Sequence, residues 1–91
     1  MSGFVLHPGH HELHGVTVVV ETVGPVTYVA RFDTLDDQAI YLLNVAIHDS
    51  GAAGPALEEF LARTRKFGVK AEQKHLRLPS AQVRTIRRLA E

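Results

Sequence analysis

The chain has no cysteine. That excludes disulfides, thiolate-held metals and a cysteine nucleophile, and it fits a reducing compartment such as the cytoplasm. Long apolar runs are also missing. None approaches the roughly 20 residues that a membrane-crossing helix needs. The opening Met1-Ser2-Gly3-Phe4-Val5-Leu6 has neither the charged start nor the long apolar stretch of a signal peptide. The expectation is a cytoplasmic chain with no membrane partner. Aromatics are few, four Phe and two Tyr, and none lies beyond Phe67. A single-copy platform that stacks nucleobases on aromatic rings is therefore short of material. GxSxG, a Gly-rich phosphate loop and HExxH are all absent. Asp33, Asp36 and Asp37 could do acid–base work if buried together. Their setting is a turn, where Asp is favoured because it bonds its own backbone. No enzyme is expected.

What is present suits one small domain over residues 1–91, with 45% hydrophobic residues. A core of this size is modest, and such domains often gain stability by oligomerising. The net charge of zero hides an asymmetry. Residues 1–59 carry eight acids and the single base Arg31, for −7. Residues 60–91 carry nine bases against Glu72 and Glu91, for +7. Such a split is the footprint of a polyanion-binding face, or of two halves that pair within or between chains.

Strand signals dominate. Val16–Val23 is rich in β-branched residues, Gly24-Pro25 is a turn, and Val26–Asp33 reads as a second strand in a hairpin with the first. Thr34-Leu35-Asp36-Asp37 turns the chain. Gln38–His48 is almost continuously apolar, as in a strand buried on both faces or bent across a core. A connector, Asp49–Gly54, leads to a helix over 55–67, opened by Pro55 and closed by Gly68. Glu58 and Glu59 lie in its first turns and Arg63, Arg65 and Lys66 in its last, which complements the helix dipole. Leu57, Phe60, Leu61 and Thr64 form its apolar stripe. Val69–Leu78 reads as a fourth strand. Residues 80–90 fit either a helix capped by Ser80 or a single turn at 80–83 followed by a strand at 84–89. The second is expected, because it supplies the fifth strand of a small barrel. The fold expected is mainly β with one or two short helices: a five-stranded SH3-like or Sm-like barrel with a helix-bearing insertion between its third and fourth strands.

Two groups of residues point to binding. His7, His10, His11 and His14 fall within eight residues, where Pro8 and Gly15 suggest a helical turn over about 8–14. Histidines four apart on a helix can grip one divalent metal, with His48 or Asp49 as a further ligand. They can equally form a solvated polar turn or a pH sensor. The second group is Lys70-Ala71-Glu72-Gln73-Lys74-His75-Leu76-Arg77 with Arg84, Arg87 and Arg88, whose cations suit phosphates.

The stretch from Val29 to Asn44 resembles the first motif of Sm-like proteins, including the bacterial Hfq type: Ala30, Phe32 and Asp36 match the spacing, as do Ile40 and Leu42. Lys74-His75, followed by Leu76-Arg77-Leu78-Pro79-Ser80-Ala81, is similar to the Lys-His of the Hfq-type second motif. The resemblance covers about half the chain. It implies a bent five-stranded barrel assembled as a homo-oligomeric ring, with uridine-rich RNA held by the loop after the second strand and the Lys-His segment. Asp36, Lys74 and His75 would then be the RNA-binding residues, and Arg77 of the basic stretch is expected to join them. The chain departs from the family pattern at Ala30, where glycine is usual. It departs again at Asp37-Gln38-Ala39, where an Asn or an aromatic is usual, and in the insertion at about 49–68.

Overall fold

The computed structural model describes residues 13–90; Met1–Glu12 and Glu91 lie outside the described residues. The elements run β1 (Thr17–Thr22), β2 (Val26–Leu35), β3 (Ala39–Asp49), α1 (Leu57–Phe67), β4 (Gln73–Pro79), a 3-10 turn (Ser80–Gln82) and β5 (Val83–Arg88). All five strands are antiparallel in one open sheet of order β4-β3-β2-β1-β5. β4 and β5 are its two edges. They are joined in sequence by the 3-10 turn, and no ladder pairs them with each other.

The strands follow from their residues. Val18 and Val20 face one side of β1 and Val19 the other, and all three are buried. β3 is apolar nearly throughout because it serves both sides of the sheet. Ile40 and Leu42 join the first core cluster, as does Val45, whereas Ala46 joins the second. A strict alternation would send Leu42 and Val45 to opposite faces. The exchange happens at Asn44, which takes φ +52° where the β2–β3 register shifts. Asn accepts this left-handed backbone more readily than most residues, and a bulge there re-aims every side chain beyond it.

The inner cluster gathers Val18, Val20, Ala30, Phe32, Ile40, Leu42, Val45, Leu78 and Val83. It contains residues from all five strands, so the sheet bends around it and brings β4 and β5 onto one core. The outer cluster is Val19, Val29, Ala46, Leu61 and Leu89, with Leu57, Phe60 and Val69 against it. Helix α1 is thus a cover for the outer face of β1, β2 and β3. Leu61 and Thr64 are its buried residues, as the apolar stripe requires. The Thr64 hydroxyl donates to the Phe60 carbonyl at 2.8 Å, which satisfies it inside the helix. Gly68 ends the helix at φ +91°, and its N–H donates to the Thr64 carbonyl at 2.9 Å. Arg65 Nε donates to the Leu89 carbonyl at 2.8 Å and ties the end of α1 to the residue after β5.

Several expected boundaries move. The helix starts at Leu57, and Pro55 lies before it. The Pro55 carbonyl instead accepts a 2.8 Å hydrogen bond from His48 Nε2. β2 continues through Thr34 and Leu35, so the turn is Asp36–Gln38. β4 begins at Gln73 rather than Val69, because Val69 is drawn onto the outer cluster beneath α1. Glu72 then straps the connector to β3. Its N–H donates to the Val45 carbonyl at 2.7 Å and its carboxylate accepts from the Ile47 N–H at 3.0 Å. The strand alternative holds at the end of the chain, with the turn at 80–82 and β5 at 83–88. No helix among the described residues is long and apolar enough to cross a membrane.

If α1 holds the outer face through Leu61, Leu61→Ala should cost about 2–5 kcal/mol in urea unfolding. Arg63→Ala, on the exposed side of the same helix, should stay within about 0.5 kcal/mol. Equal effects would show that the helix does not cover the sheet in solution.

Candidate functional site

The turn between β2 and β3 is built by Asp36. Its Oδ1 accepts from the backbone N–H groups of Gln38 and Ala39 at 2.8 and 2.9 Å. Its Oδ2 accepts from the Tyr41 hydroxyl at 2.7 Å. Aspartate closes turns in this way because its carboxylate reaches amides two and three residues ahead. The three donors favour the ionised form, Tyr41 most strongly, and hold the Asp36 carboxyl below its ordinary value of 3.8. Arg77 contributes a weaker pull in the same direction.

Arg77 is near because of strand pairing. β3 and β4 pair with Tyr41 opposite Arg77, Leu43 opposite His75 and Val45 opposite Gln73. Ile40 and Leu42 lie in the inner core, so Tyr41 and Leu43 face outward, and their partners Arg77 and His75 do too. The Gln38 carbonyl accepts from the Ser80 N–H at 2.8 Å and pins the Asp36 turn to the end of β4. One outward patch therefore holds Asp36, Tyr41, Arg77 and His75, from segments more than 30 residues apart in the chain. A second row runs from His75 across Leu43 to Arg31 on β2 and Thr17 on β1.

Of the four residues expected to bind RNA, Asp36, His75 and Arg77 come together. Lys74 does not share their face. It is exposed at the start of β4, on the side that Leu76 and Leu78 take toward the inner core. Tyr41 in the patch and Arg31 in the second row are not among the candidate binding residues that the sequence points to. Tyr41 sits five residues after Asp36 and is half-buried on the outward face. Arg31 is the only base in the first 59 residues, and that isolation is its one signal in the sequence. Arg31 Nε also donates to the Gly15 carbonyl at 3.4 Å.

Among the described residues, few bases of the last third pair with acids. Two ion pairs occur among the described residues, Arg63–Glu59 at 3.0 Å within α1 and Arg84–Glu21 at 3.9 Å. Lys70, Lys74, Arg77 and Arg88 are exposed and outside both pairs.

The histidine cluster falls largely outside the described residues, since His7, His10 and His11 precede residue 13. His14 is described, and its Nδ1–H donates to the Asp33 carbonyl. His48 and Asp49, the further ligands expected for a metal, each make one hydrogen bond, and the buried Nδ1 of His48 has no partner among the described residues. His48 is buried against the Phe60 ring, with ring centres 5.2 Å apart, and is bonded to Pro55. The Asp49 carboxylate accepts from the Gly51 N–H at 2.8 Å. Among the described residues no group of three or more His, Cys, Asp or Glu side chains is arranged to hold a metal.

No protein-family model and no curated protein matches the chain.

The grip of Tyr41 on Asp36 is testable by titration. Because the folded value of Asp36 is depressed, the stability it lends is full above the unfolded carboxyl value and is lost as pH falls through the lower, folded value. NMR should find Asp36 titrating below 3.8. Tyr41→Phe should move that midpoint upward, since it removes the largest cause. An unmoved midpoint would show that the hydroxyl does not hold the carboxylate.

Proposed function

We propose that the chain is an Sm-like, small-barrel module that assembles as a homo-oligomer and binds single-stranded RNA. The observation that carries this reading is the meeting of Asp36, Tyr41, His75 and Arg77 in one outward patch on β3, β4 and their turn. In this reading Asp36 presents the turn and offers a carboxylate to base N–H donors. Tyr41 gives a ring face for stacking, and His75 and Arg77 contact phosphates or base edges. Lys74, on the other side of the same edge strand, adds a phosphate contact. The two sheet edges suit assembly. β4 of one copy can pair with β5 of the next, a head-to-tail contact that closes into a ring if the rotation allows it. Such pairing would also remove both open edges.

A second reading keeps the assembly and drops the RNA. It is favoured by the scarcity of ion pairs within the described part of one copy, which leaves the acidic and basic regions free to attract each other between copies. The two readings separate on one titration. Labelled oligouridine followed by fluorescence anisotropy should bind the full chain, with affinity falling steeply as salt rises. The double variant His75→Ala and Arg77→Ala should weaken binding at least about tenfold, since each lost charged hydrogen bond is worth roughly 1.5–3 kcal/mol. Unchanged affinity in that variant would remove the site. No binding by the parent chain would leave the assembly reading alone.

A further inference from the structure

Beneath α1 lies a groove that the proposed RNA patch does not use. It lies where the last turn of α1 meets the start of β1 and the residues after β5, and it measures about 440 Å³. Its walls are aliphatic, including Val16, Val69, Leu89 and the buried Thr64, whose hydroxyl is already committed to Phe60. Two guanidinium groups, Arg65 and Arg88, complete the lining. Neither has a carboxylate partner among the described residues. Arg65 is held in place through Nε by the Leu89 carbonyl, which leaves its terminal nitrogens free to donate. Arg88 is exposed.

Aliphatic walls and two guanidinium groups in one lining select a chemistry. Arginine presents its donors as a planar fork that matches a carboxylate. A mostly apolar cleft of this size with few polar groups is the usual form of a small-molecule site. Among the described residues no aromatic lines it to stack a nucleobase. We infer that this groove binds a small aliphatic carboxylate, with the chain against Val16, Val69 and Leu89 and the head group between Arg65 and Arg88. The groove uses neither the β4 edge nor the Asp36 turn, so octanoate and oligouridine should shift different residues.

The test is an amide NMR titration of the full chain with octanoate, butyrate and 1-octanol. Octanoate should give saturable shifts at Val16, Val69 and Leu89. Butyrate lacks the apolar body and octanol lacks the charge, so each should bind at least about tenfold more weakly. Arg88→Met keeps the stem without the charge at an exposed position, and it should reduce octanoate to the level of octanol. An unchanged amide spectrum away from the groove checks that this variant is folded. The inference is overturned if octanoate gives no saturable shifts, or if octanol binds as well as octanoate. It is overturned equally if oligouridine shifts these residues and octanoate does not. Contacts from the side chains of Phe4–Leu6 to Val69 and Leu89, without octanoate binding, would overturn it by making the chain's own N-terminal segment the occupant.

Discussion

The sheet has two apolar faces, and both must be covered. Val18 and Val20 point one way from β1 and Val19 the other, and all three are buried, so no flat sheet with one wet face could hold this strand. The chain answers with two devices. The inner face bends until all five strands share one cluster around Phe32. The outer face receives α1, which arrives between β3 and β4 and lies on Val19, Val29 and Ala46. The bulge at Asn44 connects the two devices, since it lets β3 feed Val45 inward and Ala46 outward.

That arrangement also decides where binding can occur. α1 covers one part of the outer face, and among the described residues no helix lies over the part bearing Tyr41, Leu43, His75 and Arg77. The Asp36 turn is bonded to the 3-10 connection through Gln38 and Ser80, so the exposed patch sits on fixed backbone rather than on a free loop. At the other end, the tie between Arg65 and Leu89 gives the groove beneath α1 its rim.

Much of the fold is legible in the sequence. β-branched runs and the Gly24-Pro25 turn mark the first hairpin, the acidic start and basic end mark the helix, and its apolar stripe names the buried residues. The boundary at Val69 is not legible, because a valine followed by alternating residues looks the same whether it pairs with a strand or packs beneath a helix. The bulge is hidden for a similar reason: nothing local distinguishes Asn44 from an ordinary outward residue of a strand. The site is half legible. The family resemblance points to Asp36 and His75 and the basic stretch to Arg77, but the face taken by Lys74 depends on register, and a shift of one residue reverses it. In the sequence Tyr41 looks like one more residue of an apolar strand, whereas in the fold its hydroxyl is the strongest influence on Asp36.

The most direct test of the proposed function is size-exclusion chromatography with light scattering on the untagged chain, recording the 260/280 nm absorbance ratio at low and high salt. An Sm-like RNA-binding module should run as a ring-sized homo-oligomer that carries nucleic acid at low salt and releases it at high salt while staying assembled. A monomer free of nucleic acid at both salts would contradict that function.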